Sequence, residues 1–99
     1  MKRLPAQARK DEIILAGLKL ATRKGYMNLT REMVAKSAKC SPTLITAHFG
    51  TFEAFRKELM ANAIAVENLA IVAQGLVMKV PAAMRAPRAL REKAAQLIA

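Results

Sequence analysis

The pair Ser41-Pro42 limits what this chain can fold into more than any other feature. Proline has no N–H to donate and fixes φ, so it suits the first position of a helix and is excluded from a helix interior. A serine just before it supplies an oxygen for the free N–H groups of the new helix. Residues 30–49 are thereby divided into two short helices joined by a tight turn at Lys39–Ser41, the second ending at an aromatic core anchor, Phe49. A small helix held that rigidly, in a chain of net charge +10, is suited to placing side chains in the major groove of DNA.

The bulk composition agrees with a compact, basic, core-forming chain. Its 99 residues make one domain, or one small domain with an appendage, and 54% hydrophobic content is too high for a disordered basic tail. Residues 1–58 hold 12 Lys/Arg against 5 Asp/Glu, and residues 59–99 hold 5 against 2. The first part is therefore the one expected to face a polyanion. The division expected is a basic DNA-binding domain over 1–58 and a helical dimerisation region over 59–99.

Cys40 is the only cysteine and His48 the only histidine, so neither an intrachain disulfide nor a four-ligand zinc site is available. With no Gly-rich phosphate loop and no clustered carboxylates there is no catalytic constellation, and an enzyme is not expected. No cofactor is expected either. The first ten residues carry charge with no apolar stretch behind it, unlike a signal peptide. Leu59–Met78 lacks Lys and Arg, but Asn62, Glu67, Asn68 and Gln74 interrupt it, which favours a water-exposed helix over a membrane span. The expected location is the cytoplasm of a bacterium, or of a phage or plasmid host.

Hydrophobic periodicity predicts an all-α chain. Residues 1–8 are expected as a loose basic arm. A first helix runs from Arg9 to Arg23, with Ile13, Ile14, Leu18 and Ala21 on one face and Gly25 as its stop. Thr30, Ser41 and Thr51 each precede a helical pattern and are expected to cap it. A long fourth helix from Phe52 to Lys79 is expected, with Phe55, Leu59, Ala63, Val66, Ala70, Ala73 and Val77 as one apolar stripe and Met60, Ile64, Ile71 and Met78 as another. Pro81 and Pro87 bracket a break, and a terminal helix over Arg88–Ile98 turns Leu90, Ala94, Leu97 and Ile98 inward.

The order of residues from Arg9 to about Phe55 resembles the N-terminal DNA-binding domain of the TetR family of transcriptional repressors. The residues that carry the resemblance are Ile13, Ile14, Ala16, Leu20, Lys24-Gly25-Tyr26, Thr30, Val34-Ala35, Ala38, Ser41, Ile45, His48-Phe49 and Glu53. Lys39-Cys40 stands where the family usually has Gly-Val, Thr46 where it often has a phosphate-binding Tyr, and Phe52 where it usually has Lys. The resemblance implies a three-helix helix-turn-helix domain, followed here by the long fourth helix and a C-terminal dimerisation helix. Family members carry a much larger C-terminal domain with a ligand pocket. The short tail here leads to the expectation of a dimeric repressor of a palindromic operator, with no membrane and no small-molecule effector as partner.

With Ile45 and Phe49 set inward, helical geometry turns Thr43, Thr46 and Ala47 outward, where hydroxyls and methyls meet base edges, phosphates or thymine methyls. The DNA-binding residues expected are Thr30, Arg31, Lys39, Ser41, Pro42, Thr43, Thr46, Ala47 and His48. No Arg, Asn or Gln lies on that face, so base discrimination would lean on shape and methyl contacts, with Arg31 assisting. The alternative is a helical protein-interaction module that kept the fold but does not read DNA.

Overall fold

The computed structural model describes residues 5–98, and these form seven α-helices and one 3-10 turn with no strand among them. In chain order, α1 spans Ala6–Lys24, α2 Arg31–Ala38, α3 Pro42–Phe49, α4 Phe52–Ala65, α5 Leu69–Val77, α6 Pro81–Met84 and α7 Arg88–Ala95. The 3-10 turn, Tyr26–Asn28, links α1 to α2. Helix α1 packs on α2 and α4, α3 on α2 and α4, and α5 on α4, α6 and α7. One apolar cluster runs through these layers from Ile13 to Ala94. Among the described residues no helix is long and apolar enough to cross a membrane.

Helix α1 begins at Ala6, earlier than the expected Arg9. The Pro5 carbonyl accepts the Arg9 N–H at 3.0 Å, so the ring sits where its missing donor costs nothing and Arg9 and Lys10 are helical. Lys2 and Arg3, assigned to a basic arm, lie outside the described residues. At its far end α1 stops at Gly25, whose φ of 100° is open to glycine at no steric cost. Tyr26 then folds into the core and is 2% exposed. Its hydroxyl donates to the Arg56 carbonyl at 3.1 Å, and the Arg56 guanidinium lies 4.3 Å from the ring centroid.

The long fourth helix is not formed. Between α4 and α5 the Asn68 N–H bonds the Ala63 carbonyl at 2.8 Å and the Glu67 N–H bonds the Ile64 carbonyl at 3.1 Å, with Glu67 in the left-handed region at φ 54°. That is the Schellman closure of a helix. Asn68 at once caps α5 by accepting the Ile71 N–H at 3.2 Å. The apolar stripe read across this point is cut in two, leaving Val66 and Val77 on the surface, while Ile71, Val72 and Ala73 are buried. A short α6 occupies part of the expected break, with Pro81 at its first position.

Helix α7 lies on α5 and buries Leu90 and Ala94. Leu97 and Ile98, expected inward, are exposed. The helix stops at Ala95, and the following turn bonds, from the Leu97 N–H to the Ala94 carbonyl and from the Ile98 N–H to the Ala95 carbonyl, take these two residues off the face that holds Leu90 and Ala94. The methionines are also divided. Met60 is fully buried filler, whereas Met27 and Met84 are exposed.

Two glycines mark where helices approach too closely for a side chain. A Cβ on Gly17 of α1 would lie 2.9 Å from Phe55 Cζ and 3.1 Å from Leu59 Cδ1 of α4. A Cβ on Gly75 of α5 would lie 2.7 Å from Ala83 Cβ of α6. Replacing Gly17 by Val should lower the unfolding free energy by about 1–3 kcal/mol, since overpacking outweighs any gain in helix propensity. Chemical denaturation checks this, and unchanged stability would contradict the α1–α4 crossing.

The single tyrosine supplies a second test. Burial raises the Tyr26 pKa, the nearby Arg56 cation lowers it in part, and Glu53 raises it again, leaving it above the ordinary 10.0. The native state therefore holds the phenolic proton more tightly than the unfolded chain. Its contribution to stability is complete below pH 10 and is lost as pH climbs through the raised native value. Titrating the tyrosinate absorbance should place the midpoint of the folded protein above that of the urea-unfolded chain. The reverse order would contradict the buried phenol.

Candidate nucleic-acid interface

The segment from Thr30 to Thr51 is built by local side-chain bonds to the backbone. Thr30 Oγ1 accepts the Met33 N–H at 3.1 Å and starts α2; Ser41 Oγ accepts the Leu44 N–H at 3.3 Å and starts α3; Thr51 Oγ1 accepts the Ala54 N–H at 3.0 Å and starts α4. Each bond satisfies a donor that the helix itself leaves free. The turn between α2 and α3 is a second Schellman closure, with Cys40 N–H to the Ala35 carbonyl at 2.9 Å and Lys39 N–H to the Lys36 carbonyl at 3.2 Å. Lys39 takes the left-handed conformation at φ 57°, ψ 47°. Cys40 is half-buried against the core, and its burial, opposed by the charge of Arg9, raises the thiol pKa.

Two side chains fix the rotation of α3. Ile45 is fully buried and Phe49 nearly so. The Phe49 ring meets Phe55 of α4 edge-on, with centroids 5.1 Å apart and planes at 80°. Phe55 in turn stacks on Phe52 at 5.4 Å. Phe52, at the position where the resemblance puts a Lys, is thus a packing residue. Lys10 lies 5.0 Å above the Phe49 ring and 3.7 Å from the Glu58 carboxylate, so it braces the end of α3 from α1. Arg9 pairs with Glu12 at 3.3 Å. Neither of these cations is an arm reaching away from the body.

The outward face of α3 is small and carries no formal charge. Thr43 and Ala47 are exposed and Thr46 is half-buried. The Thr46 hydroxyl donates to the Thr43 carbonyl at 3.0 Å, so its proton is committed and its oxygen is left as an acceptor. Ser41 and Lys39 are exposed beside them, Pro42 is half-buried at the first helical position, and His48 is half-buried in the last turn. Thr30 and Arg31 stand at the opposite end of α2 from the turn. Eight residues of helix, roughly 12 Å, separate them from Lys39. Arg31 pairs with Glu32 at 3.5 Å on an exposed surface. Such a pair is worth little and leaves the guanidinium available.

A trough of about 680 Å³ runs beside Thr30 and Arg31, lined also by Tyr26, Phe52, Arg56 and Met78. Sequence reasoning gave no sign of it, because its walls come from the 3-10 turn, α2, α4 and the α5–α6 connection. Among the described residues there is no group of three or more His, Cys, Asp or Glu able to hold a metal ion.

Lys39 offers a direct check on the turn. A non-glycine residue in the left-handed region costs roughly 1 kcal/mol that glycine avoids, partly offset by the freedom glycine has in the unfolded chain. Lys39→Gly should therefore raise the unfolding free energy or leave it unchanged, whereas Lys39→Val should lower it by about 1–3 kcal/mol, the range for strain at such a site. Equal stability of the two variants would contradict the αL turn.

No protein-family model matches this chain, and no curated protein or solved structure matches it either, so its functional reading rests on these residues and their geometry.

Proposed function

We propose that α2, the Lys39–Ser41 turn and α3 form a helix-turn-helix of the TetR type, and that the chain is a small DNA-binding transcriptional repressor. The observation that carries this reading is the division of α3. Ile45 and Phe49 are sunk in the core, while Thr43 and Ala47 of the same helix are exposed. A rigid helix with a short-chained, uncharged outer face fits closely against base edges, where threonine and alanine methyls meet thymine methyls. Two further features support it. Lys39 is left-handed at the place where the resembling family has glycine, and the net charge of +10 supplies attraction to phosphate.

Two copies would set two α3 helices roughly one DNA turn apart, about 34 Å, and read a palindrome. Exposed Val66, Val77, Leu97 and Ile98 in the second half of the chain offer apolar surface for pairing. A second reading is favoured by one observation: the outer face of α3 has no side chain for a bidentate base contact, and the Thr46 hydroxyl is already bonded within the helix. A helical protein-interaction module has no need of such contacts.

The outer face is tested by charge. Thr43→Glu and Thr46→Glu place a carboxylate where phosphate and base acceptors would lie, without touching the core. Both variants should keep the wild-type circular dichroism and lose operator affinity by roughly a hundredfold, about 2.7 kcal/mol. Gel retardation on a duplex selected from a random pool measures this. Wild-type affinity in either variant would remove α3 from the interface.

A further inference from the structure

Where α1 ends, Gly25 turns the backbone to φ 100°, ψ 134°, and the next two N–H groups point away from the α1 carbonyls. Both are taken up by one atom, Gln74 Oε1 of α5, which accepts from Tyr26 N–H in a short bond and from Met27 N–H at 3.4 Å. The two partners are 48 and 47 residues distant in sequence. Tyr26 is 2% exposed, so its N–H has little water to turn to if that oxygen is removed. Helix α5 holds α1 at a second point, where Asn68 Nδ2 donates to Thr22 Oγ1 at 2.9 Å.

Tyr26 is thus fixed from three sides: its N–H by α5, its hydroxyl by the Arg56 carbonyl of α4, and its ring by the Arg56 guanidinium. Three residues on, Leu29 is buried, and Thr30 caps α2. Only Met27 and Asn28 lie between Tyr26 and the buried Leu29, so little chain separates the Gln74 contact from the start of the α2–α3 unit. We infer that Gln74 is a positioning residue: it registers the start of α2 against the C-terminal helices, and so sets the geometry with which α3 meets a duplex. This rests on the reading of α3 as a DNA-contacting helix.

The physical consequence is specific. Removing the acceptor leaves the N–H of buried Tyr26 without its protein partner and removes the longer bond from the exposed Met27, while the core and the phosphate-attracting charges are unchanged. The connection then shifts or samples several positions, which affects contacts that require registry. Attraction to a polyanion does not require registry.

The test compares full-length wild type, Gln74→Met and Gln74→Glu at a temperature where circular dichroism shows each fully folded. Affinities are measured for a duplex selected by the wild type and for a random duplex. Gln74→Met keeps the length and loses the oxygen. It should lower the ratio of selected to random affinity by roughly tenfold, within the usual range of coupling between distant sites. Random-duplex affinity should hold, and the Tyr26 and Met27 amides should exchange faster with solvent. Gln74→Glu, which retains an oxygen acceptor, should restore the ratio. If the Met variant does not fold, Gln74→Asn, which draws the amide back by one methylene, carries the same expectation. A folded Gln74→Met or Gln74→Asn with an unchanged ratio would overturn the inference, even with stability reduced, because a purely structural contact gives that result. A wild type with no ratio above one would show instead that the DNA reading is at fault.

Discussion

The close crossing of α1 and α4 at Gly17 is the constraint on which the rest of the structure depends. With no side chain at Gly17, the Phe55 ring lies directly on α1, 2.9 Å from where a Cβ would stand. From that position it offers its neighbours an edge and a face: Phe49 of α3 meets it at 80° and Phe52 stacks on it at 21°. Edge-on aromatic contacts add directionality to simple burial. They fix not only that α3 is packed but how it is rotated. The outward display of Thr43 and Ala47 is a consequence of an aromatic seated against a glycine one helix away.

A second economy lies in how the helices end. Helices α2, α4 and α5 all close by the same pair of backbone bonds, with Lys39, Glu67 and Lys79 in the left-handed region where glycine is usual. Each closure carries some strain, and each is followed closely by a new helix, so the chain reverses within very few residues. This produces a stack of short helices around one continuous core. The molecule measures 47 × 22 × 20 Å along its principal axes.

What was legible in the sequence was what is decided locally. Thr30, Ser41 and Thr51 cap their helices because a hydroxyl reaches a donor three residues ahead, a contact that needs no tertiary partner. With Ile45 set inward, helical period put Phe49 on nearly the same side, and both are buried. The break at residues 66–68 was not legible, because its left-handed residue is a glutamate and the apolar period runs through it. Gly25 announced the end of α1; Glu67 announced nothing. Gln74 looked like a polar interruption in an apolar run, and its role depends on a partner 48 residues away. Thr46 is half-buried beside exposed Thr43 and Ala47, and the bond of its hydroxyl to the Thr43 carbonyl, which limits what it can offer a ligand, belongs to rotamer choice.

As proposed, the exposed side of α3 reads a duplex rather than merely tolerating one. Attraction of a chain of charge +10 to any polyanion weakens steeply as salt rises, whereas contacts with base edges and methyls do not release counterions. The most direct measurement is the ratio of affinities for a duplex selected from a random pool and for a scrambled duplex of equal length, followed as salt increases. A DNA-reading α3 predicts a ratio of at least about a thousand that persists while both affinities fall. A ratio near one at every salt concentration would contradict the account.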